Sequence, residues 1–181
     1  DFQRQYPDIA LELHSSENLI DLIEQRTDLA IRIGALLDSS LHARPLGSHR
    51  LRVVASPGYL QAHGRPRNVA ALAGHRLIGF TQPDSLNQWP LRGAEGDRYT
   101  IAPAIQASSG ETVRQLALAD GGIACLSDFM TGQDRESGAL VQILARETVE
   151  VLQPVHAVYY RNTELAARIR CFLDYLAERL G

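Results

Sequence analysis

The chain has 181 residues, a formal net charge of −3 and a sequence pI near 6.1. Apolar residues make up 45% and charged residues 22%, an ordinary globular balance for one domain or two small lobes. The mild acidity and lack of a basic stripe exclude a segment that grips a polyanion by itself, and no apolar run approaches the roughly 18 residues of a membrane span. In chain order, Ile9 to Leu13 alternates apolar and polar, which predicts a strand ending in His14-Ser15-Ser16. The serines cap a predicted helix whose buried face is Leu19, Ile20, Leu22 and Ile23. Leu29 to Ile33 reads as a short strand closed by Gly34. Leu41 to Leu46 and Leu51 to Ala55 read as two strands joined by the turn-like Gly47-Ser48-His49. Ser56 and Pro57 open a short helix that runs through His63, with a turn at Gly64 to Arg67 behind it.

The middle reads as a second unit. Arg76 to Phe80, Tyr99 to Ala102 and Ile105 to Ala107 are strand candidates, with a turn over Arg92 to Asp97. Ser108 with Glu111 three residues on fits a capping box. It opens a helix faced by Val113, Leu116, Ala117 and Ala119 and stopped at Gly121-Gly122. Ile123 to Leu126 is a buried strand, so Ile105 to Leu126 forms a strand-helix-strand unit near the short limit for a parallel crossover. Val155 to Tyr160 is a strong strand. Thr163 caps a last helix with Leu165, Ile169, Phe172, Leu173 and Leu176 at helical spacing.

Chemistry-bearing residues are sparse. Ser15, Ser16, Ser108 and Ser109 stand where strands give way to helices, a place where hydroxyls and helix amides hold an anionic group or simply cap the helix. Ser56 is either a cap or a ligand-facing hydroxyl. Arg32 reads as one half of a structural ion pair, and Trp89, the sole tryptophan, as an anchor for the second unit's core. Cys125 and Cys171 read as buried free thiols of a reducing compartment, and no signal-peptide pattern opens the chain. The six histidines show no metal-ligand spacing, Gly93 to Gly96 lacks the lysine and helix of a phosphate loop, and no Gly-x-Ser-x-Gly elbow occurs. The residues therefore predict no cofactor, no metal and no catalysis, in a cytoplasmic α/β protein.

Tyr6 to Leu13, Asp28-Leu-Ala-Ile-Arg-Ile-Gly34, Ser39-Ser-Leu-His-Ala-Arg-Pro-Leu-Gly47, Leu51 to Leu60 and Ala119 to Ser127, taken together and in this order, resemble the effector-binding domain of LysR-type transcriptional regulators. The resemblance implies a type II periplasmic-binding-protein fold: two Rossmann-like α/β lobes, joined by two crossings, with a ligand cleft between. Lobe I would comprise residues 1–66 with 150–181, and lobe II residues 67–149. It places Ser15, Ser56, Ser108 and Ser109 at the cleft, with Ile33-Gly34 and Leu126-Ser127 as neutral walls. Ser127 stands where the family often has proline. The family's domain begins one strand earlier, so the chain is expected to be a piece of a longer one whose winged helix-turn-helix binds DNA. The implied function is effector sensing: a small carboxylate or other oxyanion between the lobes shifts a homodimer or tetramer and so modulates transcription. The first helix, Glu17 to Gln25, and the last, Leu165 to Leu176, are the candidate self-association faces. A free-standing solute receptor of the same fold is the alternative, and an enzyme on this fold lacks a locatable catalytic constellation.

Overall fold

The structure is a computed structural model that describes residues 1–14, 27–34, 36, 41–93, 96–160 and 166–180. The chain divides into two compact units, Asp1–His49 with Gln153–Gly181, and Arg50–Leu152. Residues 50–66, assigned from the sequence to lobe I, fall in the second unit.

Unit 1 is built from a one-turn helix α1 (Phe2–Gln5), strand β1 (Ala30–Ile33) and the first part of the long strand β2 (Leu41–Ala55). Buried Phe2 meets Phe172 and Tyr175 edge-on, with centroids 4.9 and 5.2 Å away. Leu46, Val155, Ala157, Ile169 and Leu173 form the core. The expected strand over Ile9 to Leu13 is not among the described strands, and Leu13 is 81% exposed: alternation alone supplies no partner for its backbone groups. The helix expected after Ser16, its capping serines and the cap at Thr163 lie outside the described residues.

The continuity of β2 overturns the expected turn at Gly47-Ser48-His49. Gly47 takes φ +153 and the strand runs on. Beyond the glycine, Leu51 to Val54 pair antiparallel with Ser127 to Ala124, so the chain stays extended where a turn would have reversed it.

Unit 2 continues with helix α2 (Pro57–His63), strands β3 (Leu77–Phe80), β4 (Gln88–Trp89), β5 (Tyr99–Thr100) and β6 (Ile105–Ala107), and helix α3 (Gly110–Leu118). Strand β7 (Ile123–Ser127), helix α4 (Asp128–Ser137) and β8 (Val141–Gln142) follow. β9 (Leu152–Tyr160) and α5 (Ala167–Leu180) complete unit 1, where β9 pairs antiparallel with β1 from Ala30↔Val158 to Ile33↔Val155 and neighbours β2.

In unit 2, β3 is parallel to both β6 and β7, so the β6–α3–β7 segment is a crossover that straddles β3, as the sequence predicts. Leu51 to Val54 of β2 pair antiparallel with Ser127 to Ala124 of β7. Alternate residues feed opposite faces of this sheet. Val53, Leu77, Ile123 and Cys125 join one core with Tyr59, Leu72 and Trp89. Val54, Ile78, Phe80, Ala124 and Leu126 join the other with Val113 and Ala117 of α3. Strands buried on both faces read as apolar runs, which is why Ile123–Ser127 is buried at every position. Trp89 is a core anchor at 1% exposure, and burial pushes the Cys125 thiol up to about 12. α4 has no counterpart among the predicted elements, because only Thr131 and Asp134 of its residues are buried and its face is not apolar.

Candidate functional site

Three parallel strands of unit 2 end at one edge. Phe80 is level with Ala107, Thr81 N–H donates to the Ala107 carbonyl at 3.1 Å, and Leu77 lies opposite Ile123. The carboxyl ends of β6, β3 and β7 therefore lie side by side, where an open α/β sheet presents its ligand site. Two helices begin there. Ser109, half-buried, caps α3 by accepting from Thr112 N–H at 3.2 Å, and buried Ser127 precedes α4 and accepts Thr131 Oγ1 on its carbonyl at 3.1 Å. Exposed Ser108 lies beside Ser109. Strand spacing separates the two helix starts by about 10 Å, the span of one small molecule.

The expected capping box does not form. The cap is Ser109, not Ser108, and the Glu111 carboxylate accepts from Arg114 and Gln115 along the helix, both at 2.8 Å. The reason is register: with helix geometry starting at Gly110, Glu111 sits in the first turn one residue too early to reach back across Ser109. At α4, Asp128 is met by Arg52 at 3.0 Å and Arg135 at 2.8 Å, so Glu111 and Asp128 each have a guanidinium partner. The edge keeps exposed hydroxyl and helix amides without an uncompensated carboxylate from Glu111 or Asp128.

Ser56 does not join this group. It caps α2, accepts from Tyr59 N–H at 3.3 Å and donates to Asp120 Oδ1 at 2.6 Å, at 3% exposure. Asp120 lies just before β7 and Leu51 opposite Ser127, so Ser56 lies at the amino edge, about 17 Å along the strand from Ser127. In unit 1, Gly34 closes β1 at φ +99 and donates its N–H to the Pro154 carbonyl at 2.8 Å, with Ile33 before it half exposed. A Cβ at Gly34 would meet nothing within 4 Å, so backbone conformation, not close approach, calls for glycine there. Ser15 and Ser16 lie outside the described residues. Sequence reasoning missed Arg52, Asp128 and Arg135; the spacing of Asp128 and Arg135 along one helix face was the available signal, while Arg52 comes from a distant strand.

Among the described residues no helix is long and apolar enough to cross a membrane. Comparison with solved structures identifies the class: the fold is the type II periplasmic-binding-like fold of bacterial regulatory domains. The CrgA regulatory domain of Neisseria meningitidis superposes with a TM-score of 0.93 at 48% identity, covering 99% of this chain and 88% of that one. Full-length AphB of Vibrio cholerae superposes at 0.78 with 29% identity, over 99% of this chain and 61% of that one. The family model for the LysR substrate binding domain matches residues 1–181, and the chain belongs to that family. The transcriptional regulator CrgA of N. meningitidis serogroup C (strain 8013) is 49% identical over 180 residues, 99% of this chain and 60% of that protein. A regulator of Xanthomonas campestris pv. campestris (strain 8004) is 31% identical over 186 residues, 100% of this chain and 54% of that protein. The chain thus spans little more than half the length of such relatives.

Proposed function

We propose that this domain senses a small oxyanion-bearing effector for a LysR-type regulator, and that binding modulates transcription through a winged helix-turn-helix carried elsewhere on the protein. The match of the LysR substrate-binding domain model to all 181 residues carries this reading. Support for an anion comes from the carboxyl edge of unit 2, where the α3 and α4 amino ends stand beside Ser108, Ser109 and Ser127. Amides at a helix start favour a negative charge by about 0.3–1 kcal/mol each when exposed. Arg52, Arg114 and Arg135 keep Asp128 and Glu111 from opposing it. Ser56 is assigned to structure, since its hydroxyl is already committed to Asp120.

The effector works by binding one arrangement of the domain better than another, since a ligand shifts an equilibrium only through differential affinity. A homodimer or tetramer is the assembly proposed to transmit that shift to paired DNA-binding heads, with α5 as the candidate face; the other candidate, Glu17 to Gln25, lies outside the described residues.

A thermal-shift screen of small organic acids, amines and sugars tests the reading. An organic acid at a hundred times its dissociation constant is expected to stabilise by about 2.7 kcal/mol, and Ser108→Ala to weaken that acid. Stabilisation by amines or sugars alone would overturn the oxyanion assignment.

A further inference from the structure

Unit 2 holds a concavity built from residues other than those of the carboxyl edge. It is an open groove of about 530 Å3 between the segment after α2 (Arg65, Pro66, Arg67) and the turn after β8 (Leu144, Ala145, Arg146, Glu147). Pro66 and Leu144 are buried and make an apolar floor. Around it stand three guanidiniums against one carboxylate, on a chain whose net charge is −3. The local sign is the reverse of the whole.

Each guanidinium projects from braced backbone. Arg65 Nη2 donates to the Gln142 carbonyl at 2.7 Å, which fixes the side chain and leaves most of its five donors unused. Arg67 lies between Pro66, whose ring holds φ, and Asn68, whose side chain accepts from Ala71 N–H at 2.9 Å. Arg146 sits at the tip of a turn in which the Leu144 carbonyl accepts from Glu147 N–H at 3.2 Å, Thr148 N–H at 2.9 Å and the Thr148 hydroxyl at 2.8 Å. Leu144 itself is held at φ +50, a left-handed conformation that a branched side chain adopts only under constraint.

The arginines of unit 2 are otherwise answered. Arg50, Arg52, Arg92, Arg114 and Arg135 each meet a carboxylate, while Arg76 donates to the Asp120 carbonyl and Arg98 to Gln88 Oε1. Among the described residues, Arg67 and Arg146 have neither an ion pair nor a side-chain hydrogen bond. All 18 basic side chains of the chain are arginine, so the choice of arginine over lysine says nothing here. Convergence of three guanidiniums on one open groove, two of them without a partner among the described residues, is what points to a ligand.

We propose that this pocket binds a small metabolite bearing phosphate groups or several carboxylates, gripped by Arg67 and Arg146 with Arg65 as the third contact. Guanidinium matches either oxyanion with paired N–H donors. Glu147 accepts from a hydroxyl or amine on the same ligand. The site does not depend on the effector reading above.

Isothermal titration of the full-length protein with inorganic pyrophosphate and, separately, citrate tests the proposal at constant ionic strength set with chloride. Saturable binding of at least one is expected, and the one that binds identifies the phosphoryl or the carboxylate class. Arg67→Ala and Arg146→Ala are each expected to weaken it about tenfold or more, the loss of one charge-assisted pair. Arg146→Lys should recover part of the loss. Ser109→Ala should leave the arginine-dependent binding unchanged, which separates this groove from the carboxyl edge. Because neither arginine has an ion pair or side-chain hydrogen bond among the described residues, both alanine variants should unfold with the parent. No saturable heat from either anion, or binding unaltered in both alanine variants, would overturn it.

Discussion

Ser56 and Ser109 are both helix caps, yet they stand at opposite ends of one sheet. Ser109 caps α3 by its hydroxyl at the carboxyl edge, whereas Ser56 is clamped between Tyr59 N–H and the Asp120 carboxylate. Asp120 also accepts from Tyr59 N–H at 3.1 Å and holds φ +59, so this corner is over-determined. Ser56→Ala is expected to cost about 1–2 kcal/mol in urea unfolding, through a lost cap and a lost donor to a carboxylate, and to leave effector affinity unchanged. A variant as stable as the parent, with weakened effector binding, would return Ser56 to the effector site. Both serines look alike in sequence, each following a strand and preceding a helix. Only the antiparallel register of β2 on β7 separates them.

At the scale of elements, the firmest tie in unit 2 joins α3 to α4. Arg114 makes two parallel hydrogen bonds to Asp134, at 2.6 and 2.7 Å, and the Asp134 side chain is 11% exposed. Removing the arginine strands a largely buried carboxylate, which costs more than the pair itself contributes. Arg114→Met should therefore destabilise by about 2 kcal/mol or more in thermal unfolding, and adding Asp134→Leu should recover much of it. If the double variant were no better than the single, the tie would owe its effect to packing. The elements with strong periodicity were legible: β3, β6, α3, β7, β9 and α5 follow apolar runs or helical spacing. β2 and α4 were not. Gly47-Ser48 has the composition of a turn and becomes strand because neighbours pair along β2. α4 is held by polar contacts that leave no apolar stripe to read.

For the whole molecule, each unit has its own core. Leu46, Val155, Ala157, Ile169 and Leu173 serve unit 1, while the two faces of the unit 2 sheet are packed separately. Leu173→Ala leaves a cavity in a fully buried site and is expected to cost about 2–5 kcal/mol. Hydrogen exchange should show the loss first in β9 and α5, with Val53, Ile123 and Ala124 still protected. Equal loss of protection in both units would mean that they unfold as one. The boundary belongs to this scale as well. Leu51 to Ala55 and α2 look contiguous with what precedes them, but their partners are β7 and the core around Trp89, which puts the division at His49.

By itself the sequence determined the family, the α/β class, the β6–α3–β7 crossover and the anchoring role of Trp89. Each of these rests on local patterns: motif order, apolar period and the burial preference of a large aromatic side chain. The tertiary structure alone decided which serines share an edge, that Arg52 meets Asp128 and Arg114 meets Asp134, and that Arg65, Arg67 and Arg146 converge. Strand register and long-range pairing set those distances, and neither leaves a mark at any fixed spacing along the chain. The glycine after Ile33 shows both halves: its place at a strand end is read from sequence, while its positive φ and its bond to Pro154 appear only in the fold.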